Sequence, residues 1–124
     1  MASDNWNHCE TFPADADLSA NYREFMVLET AGDVSVAASQ GELCIGILQN
    51  KPDAAGKAAS VCTFGVCKVY AGATITIGQN LTAGADGRAE VAASADFVIG
   101  QARSAGADGE VITMFVNPDP VALA

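Results

Sequence analysis

The side chains that do chemistry are few and scattered. The chain of 124 residues has one histidine, His8, and four cysteines, Cys9, Cys44, Cys62 and Cys67. His8 and Cys9 put one base beside one thiol. Nucleophilic catalysis also needs a group that orients the base, and a metal centre needs three or four ligands. No Cys-x-x-Cys pair occurs, so zinc-ribbon and thioredoxin-type spacings are both missing. Fifteen carboxylates invite glycoside hydrolysis, which sets a proton-donating acid against a second carboxylate. Asp53, Asp86 and Asp108, however, fall in Gly-bearing turns, where they serve turn geometry in solvent. Neither Gly-rich phosphate-binding signature is present. The expectation is a non-enzyme with no catalytic residue, no cofactor and no metal.

The cysteines read by default as reduced thiols, with Cys44 and Cys62 acting as small buried hydrophobes. A hairpin through residues 44–62 would set Cys44 opposite Cys62, so a bridge between them stays open as the alternative. Cys62 and Cys67 are five residues apart, an odd offset that places them on opposite faces of a regular strand.

Charge narrows the partners. The formal net charge is −9, and the six basic residues are scattered singly. A phosphate backbone is bound by several cations acting together, and an acidic surface is repelled by anionic lipid. Nucleic acid and membrane are therefore excluded as direct partners. The N-terminus lacks the basic and apolar regions of a secretory signal. No apolar run reaches the about 18 residues of a membrane helix. A soluble protein made in the cytosol is expected.

The elements that position these side chains are β. From residue 23 onward, runs such as "FMVLE", "ELCIGIL", "ASVCTFGVCKVY", "ATITIG" and "EVITMFV" are short, apolar or β-branched, and bounded by Gly, Asp, Asn or Pro. About eight such strands predict a small barrel or tulip-like β domain over residues 23–124. The core would be thin, because Ala and Val supply much of it, and a thin core suits stability shared with a neighbouring subunit. Residues 1–22 are polar apart from Trp6, Phe12 and Tyr22, and carry Pro13, Asp15 and Asp17. They predict an irregular N-terminal arm whose aromatic residues dock on another surface.

The chain also repeats itself. "VAASQGELCIG" at 36–46 returns as "VAASADFVIG" at 91–100, and "AGADG" stands at both 83–87 and 105–109. Each copy runs from a Val-Ala-Ala-Ser segment through a strand closing on Ile-Gly to a Gly-bearing hairpin and a strand ending in Phe. Two quasi-repeated units are predicted. A glycine inside a strand marks a bulge or the close approach of another backbone, so Gly46 and Gly100 predict two matching bends that curve the sheet.

Three segments in order, "IGILQNKPDAAGKAASV", "GVCKVYAGATITIGQNLTAGADGRAE" and "FVIGQARSAGADGEVITMFVNP", resemble the small capsid decoration (cement) proteins of tailed bacteriophages. The match spans about residues 40–118; the N-terminal segment matches less, and four cysteines are more than the pattern has. The resemblance implies a structural protein on the outer surface of the phage head, in the virion. Such a protein binds the major capsid protein and self-associates as a homotrimer. Trp6, Phe12 and Tyr22 would then be the capsid contacts. One rival is a head-fibre or adhesion module that binds host glycans, although Phe64, Tyr70, Phe97 and Phe115 sit in runs that read as core. A more remote rival is a biotinyl or lipoyl carrier domain, whose modified lysine would be Lys68 between the two repeats.

Overall fold

A computed structural model describes residues 7–123, and Trp6 lies outside them. The strands are β1 (Asn7–Pro13), β2 (Phe25–Leu28), β3 (Val34–Val36), β4 (Gly46–Leu48), β5 (Ala58–Tyr70), β6 (Asn80–Ala83), β7 (Ala89–Val91), β8 (Gly100–Ala102) and β9 (Val111–Val116). A 3₁₀ turn at Ser19–Asn21 precedes β2. All strands join one antiparallel sheet in the order β3-β2-β4-β5-β9-β8-β6-β7, with β1 paired to β5. The sheet curls into a half-barrel, and the all-β expectation holds.

The strand order reads the same from either end if β2, β3, β4 and β5 are exchanged for β6, β7, β8 and β9. The hydrogen bonds repeat with it. Ile45 N–H donates to Met26 O at 2.9 Å, and Ile99 N–H to Leu81 O at 2.8 Å. Arg23 N–H donates to Leu48 O at 2.8 Å, and Gly78 N–H to Ala102 O at 2.9 Å. Ala14 N–H donates to Lys57 O at 2.9 Å, and Ala71 N–H to Glu110 O at 2.8 Å. Strand β5 serves twice: its first half ends the first unit, and its second half opens the second.

This overturns the irregular arm. Residues 7–13 are the opening strand of the first unit and pair with β5 from Asn7↔Gly65 to Pro13↔Ala58. The physical reason is burial. Ala14, Leu18, Met26, Val34, Leu48, Ala59 and Val61 form a small core, and Phe12 packs against it. Without residues 12–18 that face of the first unit would lie open to water. In the second unit the same places are taken by Val69, Ala71, Ile75, Leu81, Ala89, Ala102, Ile112 and Met114, all within the main core. Polar composition hid the strand, because all of β1 except Phe12 is exposed.

The two interior glycines act by close approach. A Cβ on Gly46 would collide with the Cys62 carbonyl, and one on Gly100 with the Phe115 carbonyl. Across the curl, the units are tied by backbone bonds from Phe25 N–H to Gly87 O (2.8 Å), Gly41 N–H to Ala83 O (2.8 Å) and Phe97 N–H to Gly41 O (3.0 Å). Phe25, Cys44, Ile47 and Cys62 of the first unit are buried in the shared core there.

Cys62 and Cys67 form a disulfide, while Cys44 and Cys9 stay reduced, Cys44 buried and Cys9 exposed. Neither the free Cys62 thiol nor the Cys44–Cys62 bridge is realised. The odd-offset argument fails because β5 is not a regular strand. Five residues of extended chain span about 16 Å, yet the Cα atoms of Cys62 and Cys67 are 6.8 Å apart. The strand folds at residues 63–65: the β1 register slips there, and Gly65 has φ 111°. Both sulfurs therefore reach the same core.

Candidate interaction surface

The outer face of the second unit is built by alternation. In β9, Ile112, Met114 and Val116 point into the core, so Thr113 and Phe115 point out. Pairing then sets Val66, Phe115, Gln101 and Asn80 in one row across β5, β9, β8 and β6. Phe64 adds its ring to Phe115, edge to face, with centroids 5.3 Å apart and planes at 76°. The Arg103 guanidinium lies 5.1 Å from the centre of the Phe115 ring. Phe64 and Phe115 are thus surface residues, contrary to the core reading of their runs; Phe64 is 39% exposed.

Beside this row lies a groove of about 400 Å³. Its floor is Asn80, Gly100, Gln101 and Phe115, and its wall is the segment from Asn117 to Pro120. Asn117 N–H donates to Ile99 O at 2.8 Å and Asp119 N–H to Val98 O at 2.9 Å, so the wall is fixed to the sheet. Pro118 and Pro120 stiffen it further. Asp119 accepts the Val121 N–H on Oδ1 at 3.0 Å, and Gln101 donates from Nε2 to Gly78 O at 3.2 Å. The side chains of Asn80 and Asn117 make no hydrogen bond among the described residues. Sequence reasoning missed this groove, although the alternation in "VITMFV" already set Phe115 opposite the buried set.

The expected contact residues are not gathered in one place. Phe12 is half-buried against the small core of the first unit. Tyr22 is half-buried, with the Arg23 guanidinium 4.7 Å and the Lys51 ammonium 5.2 Å from its ring centre. Lys68 is exposed in mid-strand, opposite Thr113, and not on a hairpin tip as a carrier lysine would be. His8 and Cys9 lie exposed on β1, and Cys9 Sγ donates to Asn7 Oδ1 at 3.6 Å. Among the described residues no three His, Cys, Asp or Glu side chains come together as metal ligands. Burial first, then the Glu42 carboxylate, pushes the Cys44 thiol up to about 12, which keeps it protonated and unreactive.

No protein-family profile matches the chain, and no curated protein matches it in sequence. Among solved structures, the fold is similar to that of the head fiber gp8.5 N base of bacteriophage phi29. The TM-score is 0.72 at 19% identity, covering 90% of this chain and 95% of that one.

Proposed function

We propose that this protein is a non-enzymatic structural component of a phage head, bound to the outside of the shell as a decoration protein. The observation that carries the reading is the likeness, over nearly the full length of both chains, to a phage head-fiber base. The ordered segments at 45–61, 65–90 and 97–118 support it, because they resemble capsid decoration proteins on independent grounds. An acidic surface suits a protein held away from packaged DNA. The partner in this reading is the major capsid protein. Self-association as a homotrimer multiplies modest contacts by symmetry. Trp6, beyond the start of β1, is the first candidate for a shell contact, since Phe12 and Tyr22 are each half-buried within this chain.

The experiment is co-sedimentation of the purified protein with undecorated heads, read as copies bound per shell subunit. Saturation at a ratio fixed by the lattice supports a decoration protein. A few copies per particle support the second reading, a head-fibre base, which the fibre identity of the solved structure favours. No binding overturns both. Trp6→Ala is expected to weaken binding while leaving the melting temperature unchanged.

A further inference from the structure

The two units differ most where the groove lies. The hydrogen-bond correspondence matches Asn80 to Phe25, Gln101 to Ile47, Val98 to Cys44 and Phe115 to Cys62. In the first unit these positions are apolar and buried in the shared core. In the second unit no further unit covers them among the described residues, and two of the four are amides. A face kept for permanent protein packing would retain apolar residues, as the first unit does. The exchange instead equips the face for water or for a ligand that resembles water in its hydrogen bonding.

We infer that the groove is a binding site for a neutral saccharide. Asn80 and Asn117 offer uncommitted amide donors and acceptors. Gln101 has its Oε1 and one N–H to spare, and Asp119 has its second carboxylate oxygen. Planar amides can donate to or accept from a sugar hydroxyl, and the Asp119 carboxylate can accept from one. Phe115 and Pro118 supply apolar surface for the C–H faces of a pyranose. Among the described residues that line it, the groove has one carboxylate, Asp119, and no cation, with Arg103 stacked beside it on the Phe115 ring, and the chain carries net charge −9. Anionic ligands are therefore disfavoured. The fixed wall means that little ordering cost attends binding. This inference does not depend on shell binding and is tested on the free protein.

The test is a ¹⁵N-correlation NMR titration of the full chain with maltose, lactose, mannobiose and N,N′-diacetylchitobiose, alongside N-acetylneuraminic acid. At least one neutral disaccharide is expected to shift the side-chain amides of Asn80, Gln101 and Asn117 saturably, and more strongly than the anionic sugar does. Asn117→Ala and Gln101→Ala should each weaken that affinity about tenfold, with Gln49→Ala, outside the groove, as the unchanged control. Both substituted side chains are exposed, so the variants should fold, which their amide spectra report directly. The inference is overturned if none of the four sugars gives a saturable shift. Shifts that centre elsewhere, or affinity that survives both groove substitutions, overturn it equally.

Discussion

Gly41 and Ala95 occupy the same position in the two units and share a left-handed backbone, with φ 77° and 73°. Arg23 and Gly78 are a second such pair, at φ 66° and 91°. In each pair the fold demands a conformation that glycine adopts readily, and one unit supplies a residue with a Cβ. Ala95→Gly should therefore raise stability by about 0.5–1 kcal/mol in urea denaturation, because its methyl group is exposed and its loss removes little packing. Gly41→Ala should cost more than Ala95→Gly gains, since the new Cβ would also strike the Asp96 carboxylate.

The interior glycines are stricter. Gly46→Ala and Gly100→Ala each drive a Cβ into a backbone carbonyl of the neighbouring strand, Cys62 or Phe115. Backbone on both sides cannot yield as a flexible side chain would. A loss of about 3 kcal/mol or more is expected for either variant. A shift in the denaturation midpoint of less than a third of that would show that the sheet relaxes around the methyl.

The Cys62–Cys67 bridge closes a corner of the chain and not a long loop. Chain-entropy reasoning for so short a closure gives about 2 kcal/mol. A Cys62→Ser, Cys67→Ser double variant should melt several degrees lower than the oxidised protein. The reductant dithiothreitol should lower the oxidised protein's melting temperature and leave the double variant unmoved. Iodoacetamide labelling of the native, oxidised chain should reach Cys9 and spare Cys44, whose thiol is buried and held protonated.

Glu24 is buried between the units. It accepts a hydrogen bond on Oε1 from Asn21 Nδ2 at 2.8 Å and faces Arg88 Nε across 3.7 Å. Arg88 also lies over Tyr70, 5.5 Å from the ring centre. Arg88→Ala leaves the Glu24 carboxylate with one partner, and a loss of about 1–2 kcal/mol is expected. Arg88→Lys should recover only part, because a lysine does not reproduce the stacked guanidinium. Equal stability of wild type and Arg88→Ala would show that the ion pair contributes nothing.

Asp15 is held above the ordinary carboxylate range, first by partial burial and then by the Asp33 and Glu29 carboxylates. The folded state thus binds its proton more tightly than the unfolded chain does. Its contribution is most favourable in acid and falls as pH rises through the raised folded value. Asp15→Asn should stabilise the protein at pH 7 by less than about 0.5 kcal/mol, given the exposure of the site. The gain should vanish in acid, below the unfolded carboxylate's titration, and shrink in high salt.

Composition and periodicity were enough for the all-β class, the two quasi-repeated units and the importance of Gly46 and Gly100. Those properties follow from local signals: turn residues, alternation and a recurring word order. Residues 7–13 were illegible because their strand is exposed along most of its length, and only pairing with β5 and the seating of Phe12, Ala14 and Leu18 define it. The Cys62–Cys67 bridge depended on a fold inside β5 that an odd sequence offset argues against. The groove depended on which unit covers the other. The corresponding face is core around Phe25 and Ile47 but surface around Asn80 and Gln101, and burial of that kind is decided by packing at long range.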